Sequence, residues 1–109
     1  MEASDTSLYI TGPISADEER HILWKLRPTL CHELRALLVD EDTELGYGIT
    51  RNADAIVTDV SVHARVSNLE ETLGIIRKLY SETGLTHRAM LLVYGTDSEV
   101  VAQHPISGE

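Results

Sequence analysis

The chain has 109 residues and a formal net charge of −9, from 18 acids against 9 bases. That length fits one domain, residues 1–109. With 42% hydrophobic and 25% charged residues, wholesale disorder is excluded, because it requires low hydrophobicity with high charge. No apolar run approaches the ~18–20 residues that span a bilayer. The opening MEASDTS lacks the basic and apolar regions of a secretory signal. Cys31 is the only cysteine, so neither an intramolecular disulfide nor a Cys-rich zinc site can form. A cytoplasmic location is expected.

In chain order, residues 7–12 (SLYITG) read as a strand, with Leu8 and Ile10 on one side and Tyr9 and Thr11 on the other. Gly12-Pro13 is expected to end it. Residues 1–6 are expected to be a flexible end. Ser15 and Glu18 form a capping box that opens a helix. Its apolar stripe is Leu23, Leu26, Leu30, Leu34 and Leu37. Pro28 lies inside that stripe, so the helix either kinks or restarts there. Asp40-Glu41-Asp42-Thr43-Glu44 is an acidic loop. Residues 45–50 (LGYGIT) make a weak strand, and Arg51–Asp54 a hairpin turn.

Residues 55–66 (AIVTDVSVHARV) are the clearest strand. Ile56, Thr58, Val60, Val62, Ala64 and Val66 share one face. Asp59, Ser61, His63 and Arg65 share the other, which makes one face buried and one wet. Ser67 to Glu70 reads as a second capping box. The helix after it presents Leu69, Leu73, Ile76 and Tyr80, and Gly84 is its stop. Residues 88–94 (RAMLLVY) form a strand with a buried centre. Glu99–Gln103 is a short edge strand, with 104–109 expected to be a flexible end.

The order β-α-β-β-α-β is the α+β, ferredoxin-like sandwich: a four-stranded antiparallel sheet with two helices on one face. The opposite face then carries Tyr9, Thr11, Asp59, Ser61, His63 and Arg65. A rival parse makes Arg35–Glu41 a strand and Glu44–Ala53 a helix, which gives a small parallel α/β sheet.

In that rival parse LYITGPIS, ADAIVTDVS and NLEETLG together resemble the segment order of nucleoside deoxyribosyltransferase-like enzymes. The resemblance implies a nucleoside- or nucleotide-binding α/β domain with N-glycosidic-bond chemistry, and a pocket built from Tyr9, Gly12, Asp59 and Glu71. The chain departs from the pattern at the catalytic acid. Thr72 precedes Leu73-Gly74 and the nearest acid is Glu71, about 100° away around a helix.

The chemistry-bearing residues form no catalytic or metal constellation. Cys31-His32-Glu33 are consecutive on a helix and do not face one another. Asp17, Glu18 and His21 supply too few ligands for zinc. Asp59 and His63 share a strand face but stand about 13 Å apart. With Tyr9, Ser61 and Arg65 they are expected to line a polar sheet face or pocket. The acidic loop lacks the spacing of a calcium loop. No phosphate-binding glycine pattern or other cofactor motif is present. Trp24, next to the helix stripe, is expected in the core or at an interface.

The charge excludes two partners. There is no basic stripe for nucleic acid or for an anionic membrane. The expected function is therefore a small, acidic, non-enzymatic binding protein that docks on a more basic protein and inhibits it. Immunity proteins, antitoxins and phage-encoded inhibitors share this profile. Asp40, Glu41, Asp42 and Glu44 would steer that partner. A further alternative is a homodimer, a structural module that pairs through Tyr9, Ser61 and His63.

Overall fold

The computed structural model describes residues 3–39 and 45–107. It is a small α+β protein with one five-stranded antiparallel sheet in the order β2-β3-β1-β4-β5. The strands are β1 (Ser4–Ile14), β2 (Gly46–Arg51), β3 (Val57–Val66), β4 (Ala89–Tyr94) and β5 (Val100–Ser107). The helical segments are α1 (Ala16–His21), a π-helical turn (Ile22–Leu26), α2 (Arg27–Leu34) and α3 (Leu69–Glu82). All four strand pairings are antiparallel. This overturns the parallel alternative: 46–51 is a strand, and of the described residues 35–39 only Leu38 pairs, in an isolated bridge to Val66. The four-stranded sheet is corrected to five, because the tail pairs with β4 from Val100 to Ser107.

Strand β1 runs through Gly12-Pro13 instead of ending there, and its register against β3 shifts between Thr11 and Ile14. Such a bulge takes up an extra residue and bends the strand. Only glycine fits at position 12, where a Cβ would lie 2.5 Å from the Val57 carbonyl oxygen. The ends expected to be loose contribute ladder residues, Ser4–Thr6 to β1 and 104–107 to β5. Backbone pairing ties them down.

The Ser15–Glu18 capping box forms as read. The Glu18 N–H donates to Ser15 Oγ at 3.1 Å, and the Ser15 N–H donates to Glu18 Oε1 at 2.9 Å. The helical run restarts beside Pro28, as the second of the two readings expects: α2 begins at Arg27 with Pro28 in its first turn. The turn just before it is wide, since the Arg27 N–H donates to the Ile22 carbonyl, five residues back. Pro28 offers no N–H, so the wide turn absorbs the missing bond. The buried stripe is Ile22, Leu26, Leu30 and Leu34, with Ile22 in place of Leu23. Steps of four residues overshoot an α-helical turn by about 40° each, and the wide turn takes back part of that drift.

Helix α3 is capped one residue later than the sequence suggests. Asn68 Oδ1, not Ser67, accepts the first-turn N–H, from Glu71 at 3.1 Å. Gly84 has φ +75° just beyond Thr83, the left-handed stop that favours glycine. Ile22, Leu26, Leu30, Leu34, Leu73, Ile76 and Tyr80 from the helices meet Leu8, Ile10, Val60, Val62 and Leu91 from the sheet in one core. Both helical segments therefore lie on the same side of the sheet.

Candidate functional site

The other side of the sheet is where the remaining chemistry gathers. Strand side chains alternate between faces. Asp5, Ser7, Tyr9 and Thr11 of β1 therefore share the uncovered face with Asp59, Ser61, His63 and Arg65 of β3. Cross-strand register sets them in rows. Tyr9 lies between Ser61 and Met90, Ser7 between His63 and Leu92, and Asp5 between Arg65 and Tyr94. Among the described residues no helix packs on these rows.

The five expected face residues, Tyr9, Asp59, Ser61, His63 and Arg65, are thus brought together on one face. They do not line one pocket. A cleft of about 420 Å³ at one end of the sheet takes His63 and Arg65, together with Asp5 and Tyr94, but not Tyr9, Asp59 or Ser61. A second cleft, about 560 Å³, is lined by Ser15, Glu19, Arg51 and Ile56, near the start of β3, and takes none of the face residues. The contacts on the face are local. Ser61 Oγ and His63 Nε2 share a hydrogen bond of 3.3 Å. Arg65 Nε is 3.6 Å from Asp5 Oδ1. Burial, and then the Asp59 carboxylate beside it, push the Tyr9 phenol above its usual range. Asp59 also accepts from the Thr58 hydroxyl at 3.3 Å, and among the described residues it has no cation partner.

Four residues of this face are not singled out by the sequence alone. Ser7 is 1% exposed, and its Oγ has no hydrogen-bond partner among the described residues. A buried hydroxyl left unpaired costs about 1–3 kcal/mol. Met90, Leu92 and Tyr94 add apolar surface and are only half-buried. The parity of β1 and β4 was the available signal, since Ser7 is two residues from Tyr9, and Met90 two from Leu92.

The other candidates are dispersed. Cys31 packs against the core, whereas His32 and Glu33 are exposed. Asp17 pairs with Arg20, and Glu18 turns to Ser15 and to His87, whose Nε2 is 3.3 Å from Glu18 Oε2. The Ser15 backbone N–H is the main cause that holds the Glu18 carboxyl below its usual range. His21 therefore gains neither acid as a co-ligand. No group of three or more His, Cys, Asp or Glu side chains able to hold a metal occurs among the described residues. Trp24 is 66% exposed, which removes the core reading and leaves the interface one. Asp40, Glu41, Asp42 and Glu44 lie outside the described residues.

Tyr9 and Asp59 lie on the open face, whereas Glu71 is in the first turn of α3 on the covered side. These three do not converge, and the parallel sheet that the nucleoside-chemistry reading requires is absent. No family model matches the chain, and neither a curated protein nor a solved structure matches it. Among the described residues no helix is long and apolar enough to cross a membrane.

Proposed function

We propose that this chain is a small, acidic, non-enzymatic binding protein and that its open sheet face is the docking surface. One observation carries the reading. The face holds a buried, unpaired hydroxyl at Ser7 beside half-buried Met90, Leu92 and Tyr94. An unsatisfied polar group framed by apolar surface is what a docked partner corrects. The ferredoxin-like scaffold is part of this proposal. Strands β4-β1-β3-β2 lie in that order in the sheet, with helices between β1 and β2 and between β3 and β4, so β5 reads as an added edge. That likeness concerns the fold only, and the function is argued from the face. A cytoplasmic location is part of the same proposal, supported by the sequence's one cysteine, which can form no disulfide within the chain.

A photo-crosslinking amino acid placed at Tyr9, and separately at Trp24, tests the surface in the protein's own cells. Adducts from position 9 and not from position 24 are expected. No adduct at position 9 contradicts the reading.

The excess of acids, 18 against 9 bases, favours a second reading, in which Asp40, Glu41, Asp42 and Glu44 steer the chain onto a more basic protein that it inhibits. Opposite charge raises association rates and makes binding salt-sensitive. Reversing three of these charges should weaken such binding and flatten its salt dependence. Unchanged affinity and salt dependence would remove this reading.

A further inference from the structure

We infer that the occupant of the open face is a second copy of this chain, packed face to face about a two-fold axis that runs across the strands. The inference rests on the docking reading above and adds the partner and its register.

The argument is the pattern of the rows. Along β3 the face reads Asp59, Ser61, His63, Arg65. Along β1, beside it, it reads Thr11, Tyr9, Ser7, Asp5. A two-fold axis that crosses β3 at Val62 and β1 at Leu8 reverses both rows in the second copy. Asp59 then faces the partner's Arg65, and Ser61 faces the partner's His63. Tyr9 faces the partner's Ser7, and Met90 of β4 faces the partner's Leu92. Each contact occurs twice, as a two-fold interface requires. Aligned sheets cross at about 30°, so facing rows stay in reach near the axis.

Three deficits of the single chain are met by this one arrangement. Ser7 Oγ, buried and unpaired, receives a large side chain that ends in a hydroxyl. Asp59, without a cation of its own among the described residues, meets a guanidinium. Met90 and Leu92 cover each other. The alternative two-fold axis, parallel to the strands along β1, does none of this. It sets Asp5 against the partner's Asp5 and Ser7 against the partner's Ser7. Like charges face to face disfavour it.

Size fits a weak dimer. Five strands about 4.8 Å apart, over the length from Asp59 to Arg65 at about 3.3 Å per residue, give a footprint of about 500 Å² per copy. The total of about 1,000 Å² lies at the lower limit for a specific interface, so micromolar association is expected.

The test is sedimentation equilibrium from about 1 µM to about 1 mM, the range that brackets such an affinity. The wild type should pass from monomer to dimer. Asp59→Arg and Arg65→Asp should each weaken the dimer about tenfold or more, since each creates two like-charge contacts. The double variant restores both contacts and should return to within about threefold of wild type. Leu92→Arg, which sets two charges near the axis, should give monomer at every concentration, with its circular dichroism unchanged. A wild type that stays monomeric overturns the inference, as does a double variant no tighter than the singles. A monomeric chain that still crosslinks from position 9 to a different protein overturns the second copy and keeps the docking surface. A monomer without adducts at position 9 removes both.

Discussion

The two faces of one sheet are built from the same strands, yet they serve different ends. Leu8, Ile10, Val60 and Leu91 point to the helices and are at most 1% exposed. Their immediate neighbours Tyr9, Ser61 and Met90 point the other way and pair across strands with no helix above them among the described residues. The covered face holds Thr6 as a polar group with its hydrogen bond made: the hydroxyl donates to the Ala64 carbonyl at 2.8 Å. The open face leaves Ser7, one residue on, without one. Two adjacent hydroxyls, both buried, thus lie on opposite faces, and only the one on the covered face has its hydrogen bond. The covered side has an unpaired hydroxyl too, at Tyr47, so what sets Ser7 apart is its place on a face over which no helix packs among the described residues.

The largest effect should come from truncation on the covered face. Ile10→Ala removes a fully buried side chain and should cost about 2–5 kcal/mol. Leu92→Ala on the open face should cost well under that, about 1 kcal/mol or less. Urea midpoints of the two variants measure the contrast, and equal losses would break it.

The covered face should also carry the alkaline limit of stability. Burial pushes the Tyr80 phenol from 10.0 to about 12, and its hydroxyl donates to the His87 carbonyl at 2.7 Å. A pKa raised by folding favours the folded state while the phenol is neutral. Its contribution is complete below pH 10.0 and is lost as pH rises toward about 12. Two pKa units correspond to about 3 kcal/mol. Denaturant titrations across that window should show the loss in wild type and a shallower one in Tyr80→Phe. Identical profiles would deny Tyr80 this role.

Smaller effects sharpen the comparison. Tyr47→Phe removes a buried hydroxyl that has no hydrogen-bond partner among the described residues. It keeps the ring beneath Arg27, whose guanidinium carbon is 5.8 Å from the ring centre. A stability gain of up to about 1 kcal/mol is expected. Ser7→Ala should likewise stabilise the single chain slightly, by about 1 kcal/mol or less, in thermal melts at low concentration. A loss of more than that would show that the Ser7 hydroxyl is already satisfied.

Much of this architecture was legible in the sequence. The alternation of 59–66 names both faces of β3, although the strand starts at Val57, where a register shift buries Val57 and leaves Ile56, expected on the buried face, exposed; the Ser15–Glu18 spacing fixes the start of α1. Leu73, Ile76 and Tyr80 announce the buried side of α3. What stayed hidden depends on partners distant in sequence. Nothing local says that Val100–Ser107 pairs with β4, or that Glu18 meets His87. The π-helical turn escaped because a stripe of leucines looks continuous whether Leu23 or Ile22 begins it. The cap at Asn68 was misplaced because Ser67 and Glu70 make a convincing box one residue early. The five candidate face residues share a face by parity alone. Ser7, Met90 and Leu92 joined them only once β4 was seen beside β1.

The most direct test is hydroxyl-radical labelling of the purified chain at rising concentration. Met90 and Tyr94 report on the open face, and exposed Trp24 reports on the helix side. Labelling of Met90 and Tyr94 should fall as concentration rises while that of Trp24 stays constant. Constant labelling at all three residues, or protection at Trp24 alone, would contradict the assignment of the open face as a self-docking surface.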